Sequence, residues 1–311
     1  MTRVAVVVNP RAGSGSAAKR LSELDSALRR LGIEFEILPT ERRGHASELA
    51  RQARERGCSV LGVLGGDGTL NEVAQAYLDA SGAALAGPPI ALLPSGTGGD
   101  FARACPFSPA SLDAMLERLR ARQVRGLDLG VLRLHDSGGR PFWRAFVNVV
   151  SAGISGEVDQ RVERGPKWLG GKLAFFLATL GATLSYRNVP IEIEIDGQPW
   201  HQGPVLLVAI ANGQFLGGGM RIAPGADWSD GLLDVVSVGD LPRSRFLASF
   251  PKVYRGAHLG LEAVRAQQGQ RVALRAARAE QPILVDVDGE TPGYLPLSAH
   301  VLPRALQLVV D

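Results

Sequence analysis

The sequence predicts an α/β protein of two domains, a doubly wound sheet over residues 1–127 followed by a mainly antiparallel β domain over 128–302, with 303–311 free to return to the first. Three observations carry this. Buried-type apolar runs alternate with helical periodicity in the first part of the chain. The strands there end in loops rich in glycine and hydroxyl side chains. Beyond about residue 127 the helical rhythm gives way to short strands and Asp-Gly turns.

Taken in order, Val4 to Val8 is a nearly continuous β-branched run, as a fully buried parallel strand requires. Asn9 to Ser16 is a loop, and Leu21, Leu24, Leu28 and Leu31 then share one helical face. Phe35 to Pro39 is a second strand and residues 45–56 a second helix, closed by Gly57. Val60 to Leu64 is the third strand, 69–80 the third helix, and Pro89 to Pro94 the fourth strand. In the second domain the strands are Leu127 to Leu134, Ala145 to Val150, Ile191 to Ile195, Val205 to Ile210, Leu232 to Val238, Val272 to Leu274 and Ile283 to Val287. Asp196-Gly197 and Asp288-Gly289 read as hairpin turns. Helices are expected over 168–185 and 243–264, and Ala305 to Val310 is one more strand.

The chain of 311 residues is 45% hydrophobic, enough for two cores. With 34 basic and 31 acidic residues, the net charge of +3 does not call for a nucleic-acid partner. Cys58 and Cys105 have no metal-ligand spacing and form no disulfide framework, which fits a reducing cytoplasm. The N-terminus runs directly into a strand, and no apolar stretch is long enough for a bilayer. The expectation is therefore a cytoplasmic protein with at most peripheral membrane contact.

The central stretch is Gly65-Gly66-Asp67-Gly68-Thr69-Leu70-Asn71. Its glycines let a backbone approach a ligand, and Thr69 is placed to cap a helix whose free N–H groups would face an anion. A carboxylate in such a loop does not itself bind phosphate, so Asp67 points to a metal or water-metal bridge. The fourth-strand loop repeats the logic with Ser95, Gly96, Thr97, Gly98, Gly99 and Asp100, and Arg103 follows within a turn. Asp128, flanked by leucines, is a third candidate. The loops after the first, third and fourth strands share the carboxyl edge where such folds bind ligands. The first loop imitates a dinucleotide fingerprint in Gly13-Ser14-Gly15 and a Walker sequence ending in Lys19-Arg20, but satisfies neither.

Together these residues resemble the diacylglycerol-kinase-type lipid kinase family. The resemblance rests on Gly65 to Val73, on Leu93 to Thr97 with Asp100-Phe101-Ala102-Arg103, and on Asp288-Gly289-Glu290. It extends through Asn9-Pro10, Phe146 to Val149 with Gly153, Ala211-Asn212-Gly213 and Asp230 to Asp234. Gly-Gly-Asp-Gly-Thr alone also occurs in NAD kinases. The family commonly has asparagine where this chain has Gly99, a departure expected to loosen the loop.

The resemblance implies an ATP- and Mg2+-dependent transfer of a γ-phosphoryl group to a lipid hydroxyl, in a cleft between a nucleotide-binding and a lipid-substrate domain. It implies nucleotide contacts from Asn9, Pro10, Arg11, Ala12, Gly13, Thr40, Gly65, Gly66, Asp67, Gly68, Thr69, Leu70, Asn71, Gly96 and Thr97. Asp67, Asp100 and Asp128 would form a magnesium-binding carboxylate network, and Asp288 or Glu290, with Glu290 favoured for its reach, the general base. Asp230, with main-chain carbonyls of Asp227 and Leu232, resembles a structural magnesium site. The apolar stretch Trp168 to Leu184 is either buried core or a lipid entrance, and Arg243, Arg245, Lys252, Arg255 and His258 a candidate basic face for anionic lipid. The expected partner is a lipid at a membrane surface; a homodimer stays open. The alternatives are an NAD kinase and a non-catalytic nucleotide-binding regulator.

Overall fold

The computed structural model describes residues 3–12, 16–30, 32–93, 99–105, 111–121, 123–164, 178–179, 181–182, 185–278 and 282–310. The chain divides into two compact units, Met1–Leu129 with Leu302–Asp311, and Gly130–Val301.

In the first unit β1 (Arg3–Val8), β2 (Glu34–Pro39), β3 (Val60–Leu64) and β4 (Ile90–Leu93) are parallel in the order β2-β1-β3-β4. The end of a long last strand joins β4 in parallel, with Leu308 opposite Ile90. Val4, Val6 and Val8 pack with Leu24 and Leu28 of helix α1 (Ser16–Arg30) and with Met115, Leu116 and Leu119 of α5 (Leu112–Ala121). Ala5, Val7, Leu61 and Val63 alternate to the other face and are equally buried. The β-branched run thus forms a strand covered on both faces, as its lack of polar alternation required. Helix α2 (His45–Glu55) packs on α3 (Asp67–Ala74), and the short α4 (Asp100–Ala104) follows the fourth loop.

The third helix differs from the expected span of 69–80. It starts at Asp67 with Gly66 as N-cap, so Thr69 lies inside the first turn and does not cap it. After Ala74 the chain tightens into a 3-10 turn, Gln75–Tyr77, and Leu78 then bridges to Ala84.

The second unit is antiparallel throughout. Its strands are β5 (Gln123–His135, entering from the first unit), β6 (Pro141–Phe146), β7 (Val149–Gly153), β8 (Val189–Ile195), β9 (Gln198–Ala211), β10 (Leu233–Gly239), β11 (Val264–Gly269), β12 (Arg271–Ala276), β13 (Leu284–Val287) and β14 (Glu290–Val310). Strands β9 and β14 each serve two sets of neighbours: β9 pairs first with β8 and later with β7 and β10, and β14 first with β13 and later with β12. Ile191, Ile193, Ile195, Val208, Leu274 and Val285 lie in the shared core. Both Asp-Gly turns have positive φ at both residues, 50° and 77° at Asp196-Gly197 and 50° and 87° at Asp288-Gly289. That is the tight hairpin geometry their sequence demanded.

Three expectations are corrected here. The single strand Ala145 to Val150 is two strands, separated at Val147-Asn148, whose N–H groups are taken by a side chain described below. The helix of 243–264 is α7 (Arg243–Tyr254, with α6 at Ile154–Arg164), ended by Gly256 at φ 69° and followed by a 3-10 turn, Ala257–Gly260. His258 is consequently buried, with Nε2 bonded to the Ile222 carbonyl at 3.0 Å, and is no part of a basic face. The apolar stretch Trp168 to Leu184 lies mostly outside the described residues. No described helix is long and apolar enough to cross a membrane.

Candidate active site

At the carboxyl edge of the first unit the strand ends are tied to one another. Asn9 N–H donates to the Leu64 carbonyl at 2.9 Å, and Thr40 N–H to the Val8 carbonyl at 2.8 Å. The Asn9 side chain does two jobs: its amide donates to Thr69 Oγ1 at 3.3 Å and its Oδ1 accepts the Arg11 N–H at 3.0 Å. Asn9, Pro10, Arg11, Ala12, Thr40 and residues 65–71 therefore belong to one edge. Gly65 is required there, because a Cβ would overlap the Thr69 side chain. Leu70 and Asn71 are buried and Asn71 accepts from Gln75, so they shape the loop from below. Glu72 accepts the Ala46 N–H at 3.0 Å and fixes the start of α2. Gly13, Gly96 and Thr97 lie outside the described residues.

The carboxylate expected to reach a metal has another engagement. Asp67 accepts the N–H of Asp100 at 2.5 Å and of Phe101 at 3.4 Å, capping α4 and joining the third-strand loop to the fourth. Gly99 makes this contact feasible: a Cβ at that position would coincide with the Asp67 carboxylate. The departure from asparagine thus makes room for Asp67, and the expected loosening is corrected to close packing. Asp100, 7% exposed, pairs with Arg103. Asp128, fully buried, accepts the Arg304 N–H at 2.7 Å. The structure does not gather these three into a metal centre, and among the described residues no group of three or more His, Cys, Asp or Glu is placed to hold one. The physical reason is competition: helix N–H groups and guanidinium already compensate the carboxylates.

In the second unit the turn between β13 and β14 presents Asp288 and Glu290. Asp288 accepts three backbone N–H groups, from Val147 at 2.8 Å, Asn148 at 3.0 Å and Val149 at 2.8 Å. It holds open the break between β6 and β7, and Asn212 completes the mount by donating to the Val147 carbonyl at 3.0 Å. Asp286, one strand position pair earlier, accepts Ser151 Oγ at 2.9 Å and the Gly289 N–H at 2.8 Å. Glu290 is half-buried and paired with Arg144 of β6. Sequence reading missed Arg144, which lies 146 positions from its partner and carries no local signal; Asp286 could have been noted two residues before the acidic turn.

The third cluster lies before β10. Asp227 accepts the N–H and Oγ of Ser229 at 2.9 and 2.8 Å, and Asp230 accepts the Leu232 N–H at 2.9 Å. These turns offer oxygen only, which suits a hard cation in kind.

The chain thus combines a parallel α/β unit with a glycine-lined carboxyl edge and an antiparallel β unit with a hydrogen-bonded acidic turn. Residues 3–132 match the diacylglycerol kinase catalytic domain, and residues 148–310 the YegS C-terminal NAD kinase beta sandwich-like domain. The chain is 33% identical to "Probable lipid kinase YegS-like" of Xanthomonas euvesicatoria pv. vesicatoria, over 93% of this chain and 90% of the relative. It is 28% identical to a diacylglycerol kinase of Mycobacterium tuberculosis, over 99% and 94%. Its fold is similar to that of a diacylglycerol kinase of Bacillus anthracis str. Sterne, with TM-score 0.69 at 20% identity over 100% of this chain and 97% of that one. The chain belongs to the diacylglycerol kinase-like lipid kinase family.

Proposed function

We propose that this kinase transfers the γ-phosphoryl group of ATP, in the presence of Mg2+, to a hydroxyl of a diacylglycerol-type lipid, and that Glu290 is the general base. The observation that carries the assignment of the base is the division of labour in the acidic turn. Asp288 has its carboxylate committed to three backbone N–H groups, whereas Glu290 at the same turn is paired with the side chain of Arg144. A base must be held in place and still reach a hydroxyl proton, which the second arrangement permits and the first does not.

Nucleotide binding falls to the first unit. Asn9 to Gly13, Thr40, Gly65 to Asn71, Gly96 and Thr97 are the nucleotide-contacting residues of this reading, with the start of α3 at Gly66, Asp67 and Gly68 offering a helix N-terminus of the kind that faces phosphate. Asp67 acts by joining the third-strand loop to the start of α4, within which Asp100 pairs with Arg103. Asp128 fixes the returning chain at Arg304. Magnesium would neutralise phosphate charge as the transfer proceeds; Asp230 with the carbonyls of Asp227 and Leu232 is the set suited to a structural ion. Lipid as acceptor follows from the names of the relatives.

The test is transfer of labelled γ-phosphate from ATP and Mg2+ to a panel of hydroxylated lipids in mixed micelles, with NAD alongside. Labelled diacylglycerol supports the proposal. Label in NAD alone, or no transfer to any lipid, overturns it.

A further inference from the structure

We infer that the cavity between α6 and α7 binds a short alkyl segment that carries a hydroxyl. The cavity lies within the second unit and has a volume of about 90 Å3, the room of about three waters. Ile154 and Val158 of α6, Leu206 of β9, Val238 of β10, and Phe250 and Val253 of α7 make its wall apolar. Five polar residues also reach that wall: Ser155, Thr179, Ser249, His258 and Asp286. Two of them have an enclosed polar atom without a hydrogen bond among the described residues, Ser155 Oγ and His258 Nδ1. Such atoms are costly to bury, and a ligand in the cavity is what satisfies them.

The chemistry of the missing partner follows from the imidazole. His258 is 2% exposed, and its Nε2 lies 3.0 Å from the Ile222 carbonyl, which only accepts. Nε2 therefore carries the proton. Burial pushes the pKa of the ring down from the ordinary 6.5, so at neutral pH Nδ1 is a bare acceptor. A ligand must bring a donor to it, which excludes an ester, an ether and an alkane. A charged donor is disfavoured by the apolar enclosure. A hydroxyl donates to Nδ1 and accepts from Ser155 Oγ, while its carbon chain covers the wall. Water offers the same bonds but leaves the apolar wall wet. Asp286 also borders the cavity, and it accepts both Ser151 Oγ at 2.9 Å and the Gly289 N–H at 2.8 Å. One residue thus separates the occupant from the turn that carries Asp288 and Glu290. The hydroxyl has two sources, an acyl chain of the acceptor itself or a separate small amphiphile.

The full-length protein, with isotope-labelled histidines, is titrated by magnetic resonance with n-butanol and with its isomer methyl propyl ether, which has the same atoms and no donor. Butanol is expected to saturate, to move the His258 Nδ1 resonance, and to bind about tenfold more tightly than the ether. His258→Gln keeps a donor for the Ile222 carbonyl and loses Nδ1, so it should abolish that preference. Ser155→Ala should weaken butanol binding about threefold and, with no hydrogen bond to lose, leave the melting temperature unchanged or raised. Equal binding of the two isomers, or a His258 resonance that butanol does not move, overturns the inference. A second arm compares diacylglycerols with and without a hydroxyl on an acyl chain. A higher kcat/KM for the hydroxylated one, lost in His258→Gln, assigns the hydroxyl to the acceptor; equal values alongside butanol binding assign it to a separate amphiphile. That arm alone rests on the proposed reaction, and the titration stands if no lipid is phosphorylated.

Discussion

Gly99 and Asp67 are one device made of two residues. The missing Cβ at 99 leaves the volume that the Asp67 carboxylate fills, and the carboxylate then caps Asp100 and Phe101. Restoring a Cβ should therefore act through Asp67. Gly99→Ala, and more so Gly99→Asn, is expected to lower stability by about 1 kcal/mol through the lost cap and to weaken ATP binding about tenfold. Urea denaturation and calorimetric ATP titration check this; a Gly99→Asn variant with wild-type values would show that Asp67 has another position. The acidic turn gives a second prediction. Glu290→Gln should lower kcat by a factor of about 100 to 10,000 and leave the Kd for ATP nearly unchanged. Arg144→Gln should lower kcat with little change in ATP affinity, and Arg144→Lys should recover part of the loss, because lysine keeps the charge without the planar fork. Equal loss in the lysine and glutamine variants would reduce Arg144 to a packing role. Glycines, aspartates and the Asp-Gly-Glu turn were legible in the sequence because they are contiguous. The Arg144–Glu290 pair was not, since nothing local joins strands so far apart in the chain.

At the scale of elements, the segment after α7 couples stability to pH. His258 is 2% exposed, donates through Nε2 to Ile222, and lines the apolar cavity, with Nδ1 enclosed and without a hydrogen bond. Burial pushes its pKa down from the ordinary 6.5. The unfolded chain therefore binds the extra proton, so stability is fully present above pH 6.5 and is lost as pH falls below it. His201 and His300, both lowered first by burial and then by a neighbouring arginine, add in the same direction. The melting temperature is expected to drop between pH 7.5 and 5.5, and His258→Gln to flatten that slope; a slope unchanged in the variant would assign it elsewhere. This element also marks where reading the sequence fails. Helical periodicity runs on past Tyr254 because the buried 3-10 turn has similar spacing, so His258 was placed on a surface it does not reach. Strands β1 and β3 and the second half of β9 were legible from uninterrupted apolar runs, whereas the first half of β9, Gln198 to Pro204, was not read and β14 was read only from Ala305, since Gly293, Pro296 and Pro303 break its pattern. The break between β6 and β7 is imposed by Asp288, a residue more than a hundred positions away.

For the whole molecule the decisive feature is that β14 begins at Glu290 in one unit and ends in the other. Its last residues complete the first unit's core: Leu306, Leu308 and Val309 are 1%, 3% and 3% exposed, and Leu308 lies opposite Ile90. Strand β5 crosses in the opposite sense, and its Asp128 is bonded to Arg304 of β14, so the two crossing strands are joined inside the first unit. The first unit therefore cannot finish its sheet until β14 is in place, and its stability depends on residues remote in sequence from the glycine loops. Leu308→Ala removes buried methyl groups without touching the loops, and is expected to cost about 2–4 kcal/mol, a large share of the roughly 5–15 kcal/mol that holds an ordinary domain. Urea titration followed by ATP binding should show affinity lost at a lower denaturant concentration than in the wild type, while kcat in the absence of urea stays close to normal. A cost below about 1 kcal/mol would mean that the terminal strand decorates the sheet; a large cost with normal kcat would show that the fold and the catalytic edge are supported from opposite ends of the same strand.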